Sequence, residues 1–130
     1  MTDELMTIRE MCDAFEVTPR TLRFYESKEL LFPERRGTQR LFTRKDRARL
    51  KLILRGKRFG FSLEDIRQTL AMYHRNGSNE GQLARIYELA HNRLQQMEAQ
   101  RAELDVAIAE LRVELEAGAA SIAGFRRAAE

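Results

Sequence analysis

The second half of the chain contains a long segment without a strong helix breaker, and this segment limits the possible folds more than any other feature. From Gln82 to Ala117 the sequence has neither proline nor glycine. A continuous helix over the predicted span 80–117 would be about 57 Å long. Nothing else in a chain of 130 residues is large enough to cover one side of such a helix along its whole length.

The apolar residues of this segment alternate at three- and four-residue spacings over about four heptads, with one polar interruption at Arg101, which is the pattern of a two-stranded coiled coil. The stripe consists of Leu83, Tyr87, Ala90, Leu94, Met97, Leu104, Ile108, Leu111 and Leu115. We predict that these residues form a homodimer interface, since closed two-fold dimers are the most common oligomers. The spacing fits a parallel or an antiparallel pair.

Charge is distributed unevenly along the chain, although the net charge is only +3. Residues 1–76 carry 17 Lys and Arg against 11 Asp and Glu, whereas residues 77–130 carry 6 against 9. Between Arg35 and Arg58 there are eleven basic residues and one acid, Asp46. This segment favours a polyanionic partner, because each neutralised phosphate releases condensed counterions. An ordinary solvated face is the alternative.

Two short helices joined by a tight turn are predicted near the N-terminus. Thr7 and Glu10 form a capping box at the start of the first. Its apolar residues have helical spacing and are Ile8, Met11, Cys12 and Phe15. The second helix begins with Thr18 as its cap and Pro19 at its first position, and it ends near Ser27. This arrangement is the outline of a helix-turn-helix, whose second helix reads the major groove of DNA.

A small hairpin or wing is predicted over residues 30–42, which have apolar ends around a basic, glycine-containing centre. Thr43 then caps a third helix, with Asp46 at its third position and Gly60 after its end. Ser62 begins a fourth helix. The apolar residues predicted for these two helices are Leu50, Ile53, Leu54 and Phe59, followed by Ile66, Leu70 and Tyr73.

The predicted fold is all-α with a small β-wing. We predict a winged helix-turn-helix DNA-binding domain over residues 1–76, a dimerisation coiled-coil helix over 80–117, and a short C-terminal tail over 118–130. The turn-forming run 76–79 marks the boundary between the first two. If the tail folded back, it would cover only a turn or two of the apolar stripe.

The second helix has the composition of a DNA-reading helix. Arg20 and Arg23 project from neighbouring points of one face, and arginine can donate two parallel hydrogen bonds to guanine. Tyr25 offers a hydroxyl to a phosphate, and Phe24 offers a ring edge. The alternative is an amphipathic surface helix with exposed arginines.

Other basic residues fit contacts with the DNA backbone, which position a protein without specifying sequence. Those of the wing are Arg35, Arg36 and Arg40. A ridge on the third helix comprises Arg47, Lys51, Arg55 and Arg58. Lys57 and Arg58, beside the turn at 59–61, are the strongest candidates. A solvated helix face is the alternative for the ridge.

Several linked motifs within residues 7–73 resemble the MerR family of transcription regulators. They are Thr18-Pro19-Arg20-Thr21-Leu22-Arg23-Phe24-Tyr25-Glu26, then Leu30-Leu31, Arg40-Leu41-Phe42 and Gly60-Phe61-Ser62-Leu63-Glu64-Asp65-Ile66. The long helix follows where that family has its dimerisation helix. The resemblance implies an antiparallel coiled-coil dimer that binds promoters with an overlong spacer. It also implies bending and undertwisting of that DNA, so that RNA polymerase engages both promoter elements.

The resemblance also implies which residues meet DNA. Base-facing roles belong to Arg20 and Arg23, and roles at the backbone belong to Phe24, Tyr25, Arg40 and the Lys57-Arg58 pair. The complete set of predicted DNA-binding residues is Arg20, Thr21, Arg23, Phe24, Tyr25, Arg36, Arg40, Lys57 and Arg58. A closer likeness, in residues 33–37 and 47–58, is to the subgroup that controls the breakdown of leucine, isovalerate and related acyl-CoA compounds.

Other chemistries find little support in the sequence. Metal-sensing members of the resembled family carry cysteines around the start of the dimer helix and in a loop beyond its end, whereas residues 117–130 have neither cysteine nor histidine. Cys12 fits the buried side of the first helix, so we expect no metal and no cofactor. No nucleophile–base pair or phosphate loop predicts an enzyme. No apolar run approaches the roughly 20 residues of a membrane span, and the N-terminus does not resemble a signal peptide. We therefore expect a cytoplasmic protein.

The predicted function is that of a sequence-specific transcription regulator, acting as a homodimer on double-stranded promoter DNA. A non-specific architectural DNA-bending protein is one alternative, and a protein-interaction coiled coil with a basic head is another. Charge does not separate the first two, but loss of discrimination at one base pair after Arg23→Ala would. The sequence identifies no effector.

Overall fold

The computed structural model describes residues 4–74 and 80–130 and confirms a mainly helical fold with a small sheet. Two compact units are present, Met1–Ile86 and Tyr87–Glu130. The elements in chain order are β1 Met6–Thr7, α1 Ile8–Phe15, α2 Pro19–Ser27, β2 Glu34–Arg36, β3 Gln39–Phe42, α3 Arg44–Phe59, α4 Leu63–His74 and α5 Glu80–Ala128.

The predicted caps of α1 and α2 are confirmed. Thr7 accepts a hydrogen bond from the Glu10 backbone at 3.2 Å, and the Glu10 carboxylate accepts one from the Thr7 backbone at 3.0 Å. Thr18 caps α2 by accepting from the Thr21 backbone at 3.2 Å. Between the helices, Glu16 adopts a left-handed conformation with φ of 54°, which ends α1 within one residue. The helix-turn-helix therefore forms as the local sequence predicts.

The ends of α3 and the start of α4 also follow local rules. Thr43 and Asp46 form a capping box at the start of α3, and Gly60 ends the helix with φ of 84°. A residue with a side chain is strained in that left-handed conformation, so the helix stops at the glycine. Ser62 then accepts a hydrogen bond from the Asp65 backbone at 3.1 Å, as its predicted capping role requires.

The wing belongs to a three-stranded antiparallel sheet rather than to an isolated hairpin. Its order is β1-β3-β2, so β3 is the central strand. The sequence did not predict β1, whose Met6 pairs with Phe42. At the wing tip Gly37 has φ of 63°, and a positive φ at the first of two turn residues matches the type II′ turn that suits a twisted hairpin.

The core lies within the first unit, where the helices and the sheet bury apolar residues against one another. Its buried members are Met11, Leu22, Tyr25, Leu30, Leu31, Phe42, Leu50, Ile53, Ile66 and Leu70. Leu54 packs against this cluster, as predicted. Phe59 does not: it is 41% exposed, because it is the last residue of α3 and lies edge-to-face against Phe61. The side chain of Tyr73 and the turn at 76–79 lie outside the described residues.

Asp46 does more than cap α3. Its side chain is only 1% exposed, and its Oδ1 accepts a hydrogen bond from the Phe32 backbone at 2.9 Å. Arg49 lies 3.7 Å from the same oxygen and stacks over the Phe32 ring. Burial lowers the pKa of Arg49, and Asp46 offsets part of that effect. One carboxylate thus joins the loop before the wing to the start of α3.

The long helix α5 continues past the predicted end at Ala117 and ends at Ala128. Residues 118–128 are therefore helical rather than a separate tail. Ile122 lies one heptad after Leu115, and Phe125 follows three residues later, so the apolar stripe extends with the helix. Both side chains are exposed.

Candidate nucleic-acid interface

Both arginines predicted to read bases are exposed on α2. Arg20 lies in the first turn of the helix, and Arg23 follows three residues later. Within the described residues, neither guanidinium has a hydrogen-bond or ion-pair partner. Arginine donates from a planar group that must remain unpaired to make a bidentate contact with a base edge. These side chains are therefore available to an external acceptor.

Thr21 and Phe24 occupy two different environments on α2. Thr21 is partly buried, and its hydroxyl lies 2.9 Å from the hydroxyl of Thr18. Phe24 is 44% exposed, with the ammonium of Lys28 at 5.7 Å from its ring centre. A base or sugar that contacted the Phe24 ring would also lie near this cation. The Thr21 hydroxyl, in contrast, already has a hydrogen-bond partner.

Tyr25 corrects one of the predicted DNA contacts. Its side chain is 2% exposed and belongs to the core, because it lies three residues after the fully buried Leu22 on the same side of α2. The hydroxyl is buried without a hydrogen-bond partner among the described residues. The hydroxyl is closed off from solvent in the structure, and the residue packs α2 against the core instead.

The wing presents its predicted arginines in two directions. Arg35 pairs with Arg40 across β2 and β3, and Arg36 pairs with Gln39 beside the turn. Adjacent residues of a strand project to opposite faces, so Arg36 points away from the side that carries Arg35. Arg36 is exposed, and no partner among the described residues engages its guanidinium.

Arg35 and Arg40 share one acceptor, the carboxylate of Glu26 on α2. Arg35 Nη2 donates to Oε1 at 2.8 Å, and Arg40 Nε donates to Oε2 at 2.6 Å. Burial by itself raises the pKa of Glu26, but the hydrogen bonds from Arg40 and Arg35 and the positive charges of both side chains together outweigh it and lower the pKa. The contribution of this bridge to stability is therefore present at neutral pH and is lost as the pH falls through that lowered value. Glu26 had no predicted role, because its partners lie 9 and 14 residues away in the sequence.

The predicted ridge on α3 lines a concave surface of about 510 Å³. The surface is lined by Arg44, Arg47, Ala48, Lys51, Leu52 and Arg55. It includes Arg44, which the prediction omitted, and it does not include Arg58. One of its members has a partner already, since Arg47 Nη1 donates to the Glu4 carbonyl at 2.8 Å.

Lys57 and Arg58 are exposed in the last turn of α3. Cations in this position also interact favourably with the helix dipole, so their presence has a structural explanation beside the predicted contact with DNA.

The C-terminal end of α2 is held by a residue of another helix. Arg67 of α4 donates to the Lys28 carbonyl, which satisfies a polar group where α2 stops.

Every residue of the predicted dimerisation stripe is exposed in the single chain. Leu83, Tyr87, Leu104 and Leu115 are between 55% and 69% exposed. Exposed apolar area of this extent marks an interaction surface in a soluble protein. The stripe is therefore available to a second helix.

Cys12 packs against the core cluster, as predicted. Burial raises the pKa of its thiol, Asp13 adds to the effect and Arg23 offsets part of it. Across residues 4–74 and 80–130, no group of three or more His, Cys, Asp or Glu side chains is placed to hold a metal ion. None of the described helices combines the length and apolar character of a bilayer span.

Two families match most of the chain between them. The family described as MerR HTH family regulatory protein matches residues 6–73. The family described as MerR, DNA binding matches residues 47–113. The first match covers β1 to α4, and the second continues into α5.

Characterised relatives and solved structures agree with these matches. The HTH-type transcriptional regulator ZntR of Escherichia coli is 38% identical over 104 residues, which are 75% of this chain and 69% of that protein. HmrR of Rhizobium leguminosarum is 31% identical over 100 residues, 76% of this chain and 75% of its own. The structure of HiNmlR, a MerR family regulator lacking the sensor domain and bound to promoter DNA, is 26% identical. Its TM-score is 0.62 over 81% of this chain and 79% of that one.

Proposed function

Because the chain belongs to the MerR family of DNA-binding transcription regulators, we propose that it binds promoter DNA as a homodimer and bends and undertwists the spacer. In this role each α2 lies in a major groove and each wing contacts the flanking backbone. The family consists of regulators rather than enzymes. An architectural protein without sequence choice is not favoured.

The observation that carries the proposal is the pair of unpartnered arginines on α2. Arg20 and Arg23 are exposed on the helix that follows the turn. A cation held at the surface without a counter-charge within the described residues favours binding of an anion or of an electronegative base edge. Arg36 of the wing and the pair Lys57-Arg58 add cations suited to phosphates.

Dimerisation is supported by the apolar stripe of α5. A helix of 49 residues with its leucines exposed gains stability mainly by packing those side chains against a partner. Two copies of α2 related by two-fold symmetry would read two half-sites, separated by about 34 Å or a multiple of it. The family resemblance supports the antiparallel arrangement and the partnership with RNA polymerase at the promoter.

Bending of the spacer is supported by the family resemblance and by the likeness to HiNmlR in its complex with promoter DNA. Bending a site of this size costs on the order of 1–6 kcal/mol, which extra contacts with the bent duplex must offset. The basic residues of the wing and of α3 are suited to such contacts. A cytoplasmic location is part of this proposal, and a partner on the chromosome supports it.

The experiment that tests the proposal is selection of bound genomic fragments by the full chain, followed by sequencing. We expect a two-fold pseudo-palindromic site. Arg23→Ala should lose about 1–3 kcal/mol of discrimination at one base pair of each half-site. Arg112→Ala, which removes the same charge from α5, should leave that discrimination intact. Equal weakening of all sequences by Arg23→Ala would instead support an architectural protein. The neighbouring genes would test the predicted leucine, isovalerate and acyl-CoA subgroup.

A further inference from the structure

We propose that Glu26 is a positioning residue, which fixes the direction of the wing relative to the recognition helix α2. The inference rests on the proposed function, because it concerns how two DNA-contacting elements are aligned. Glu26 is not itself a DNA contact: a carboxylate repels phosphate, and both of its oxygens accept hydrogen bonds from within the chain.

The geometry of the bridge connects three elements through one side chain. Arg35 comes from β2 and Arg40 from β3, while Glu26 lies in the last turn of α2. The contacts of 2.8 Å and 2.6 Å are in the range of charge-assisted hydrogen bonds. Because each strand donates to a different oxygen, a shift of one strand along the other would strain one of the two bonds.

The register of the wing places two like charges opposite each other, and the bridge neutralises them. Arg35 and Arg40 are direct partners across the two strands, and like charges placed opposite each other destabilise a strand pair. Glu26 supplies the negative charge between them from outside the sheet. The shape of the wing on this face therefore depends on a residue of the recognition helix.

Partial burial strengthens the attraction between Glu26 and Arg40. The side chains of Glu26 and Arg40 are 20% and 23% exposed, whereas that of Arg35 is 52% exposed. Charges that are partly removed from water are screened less by salt than exposed pairs. Arg40 also binds Glu26 through Nε, the nitrogen nearest to its chain, so the inner part of its side chain is fixed by Glu26.

The bridge affects DNA binding through the position of Arg36. This residue follows Arg35 in β2 and projects to the opposite face of the wing. Its direction is therefore set by the same strand that Glu26 holds. If the bridge is broken, Arg36 should lose its alignment with the backbone that flanks the site read by α2.

This proposal and simple electrostatics predict opposite signs for one substitution. Glu26→Gln raises the net charge by one unit, and a more positive chain binds a polyanion more tightly. Loss of alignment instead weakens binding to the preferred site. Glu34→Gln is the matched control, because Glu34 lies in β2, is exposed and has no hydrogen-bond or ion-pair partner among the described residues.

The test compares the full wild-type chain with both variants on two duplexes of equal length. One is a fragment selected by the wild type from genomic DNA, and the other has the same bases in shuffled order. We expect Glu26→Gln to bind the selected duplex about tenfold more weakly, as expected if the misaligned Arg36 loses one charge-assisted hydrogen bond to a phosphate. Its binding to the shuffled duplex should be unchanged or tighter. Glu34→Gln should bind both duplexes as tightly as the wild type or more so.

A double-mutant cycle with Arg36→Ala separates positioning from a general effect on folding. Arg36→Ala should weaken binding and reduce the salt slope by about one in the wild type. The same substitution should have little further effect in the Glu26→Gln background, since Arg36 is already misaligned there. Additive effects of the two substitutions would overturn the proposal.

The remaining outcomes are also decisive. Equal behaviour of Glu26→Gln and Glu34→Gln on the selected duplex rejects the role of Glu26 and leaves the proposed function intact. If the wild type itself does not prefer the selected duplex, the proposed function fails. Should far-UV circular dichroism show that Glu26→Gln is unfolded, Glu26→Asp takes its place with Glu34→Asp as its control. That variant keeps the charge but withdraws the carboxylate by one methylene, and tight binding by it would reject the proposal.

Discussion

The first unit and the long helix differ in where their apolar side chains lie. In the first unit Leu22, Leu50 and Ile53 are fully buried among residues of other elements. Between residues 87 and 130 no side chain is buried, although leucine, isoleucine and valine are frequent there. The first unit thus has a core of its own, whereas the helix has an apolar surface without a core.

This difference shows how each region obtains its stability. Burial of apolar surface contributes about 25 cal/mol per Å², and in the first unit this contribution comes from within the chain. In α5 it would come from the proposed second helix, because propensity alone gives a helix marginal stability. We therefore expect the order of α5 to depend on protein concentration, and that of the first unit to depend on its caps and packing.

The largest expected effect is that of a charge in the apolar stripe. Ile108→Glu places a carboxylate where the proposed partner helix packs, and burial of an unpaired charge is strongly unfavourable. We expect a monomer by analytical ultracentrifugation at micromolar concentration. DNA binding should fall by about 100-fold, since the two half-sites are no longer linked.

Val106→Glu is the control for this prediction. Val106 is 59% exposed, and it lies two residues from Ile108, which places it on nearly the opposite side of the helix. This variant should remain dimeric. Loss of the dimer in both variants, or in neither, would contradict the assignment of the interface to the stripe.

A smaller effect is expected for the buried acid of the first unit. Asp46→Ala removes the carboxylate half of the α3 capping box and leaves the Phe32 and Thr43 backbone N–H groups without their acceptor. The two losses together should lower the free energy of unfolding by about 2–4 kcal/mol, measured by urea denaturation. Asp13→Ala, in an exposed position of α1, should change it by less than about 0.5 kcal/mol. Similar values for the two variants would show that Asp46 acts only as a surface charge.

The smallest changes in the free energy of unfolding are expected for substitutions of two helical glycines, and they should differ in sign. A Cβ at Gly56 would lie 2.9 Å from Ile66 Cγ1, whereas a Cβ at Gly124 would meet nothing within 4 Å. Gly56→Ala should therefore destabilise the first unit by about 1 kcal/mol despite its better helix propensity. Gly124→Ala should stabilise α5 by about 0.5–1 kcal/mol. Thermal unfolding followed by circular dichroism measures both, and an equal sign would indicate that packing at Gly56 relaxes freely.

The helices of the first unit were predictable because their signals are local. Thr7 with Glu10, and Thr43 with Asp46, lie three residues apart, so the sequence itself shows each capping pair. The same spacing could have revealed the burial of Tyr25, since Leu22 precedes it by three residues on the same side. The polarity of its hydroxyl suggested a surface role instead.

The features that were not predicted depend on distant residues. Strand β1 has only two residues and exists because Met6 pairs with Phe42. The bridge from Glu26 to Arg40 likewise joins residues 14 positions apart. No periodicity or cap marks either contact in the sequence. The signal for Glu26 was the pairing of two arginines on adjacent strands, which requires an acid nearby.

At position 38 of the wing tip, variation is limited by the length of the turn rather than by residue type. Arg35 and Arg36 are neighbours on opposite faces, so the register alone decides which of them meets α2. A longer turn that shifted the register by one residue would exchange their positions, although neither arginine had changed. Replacement of Thr38 within a turn of the same length leaves the register as it is. Related sequences that keep this wing should therefore tolerate substitutions at position 38 more readily than single-residue insertions.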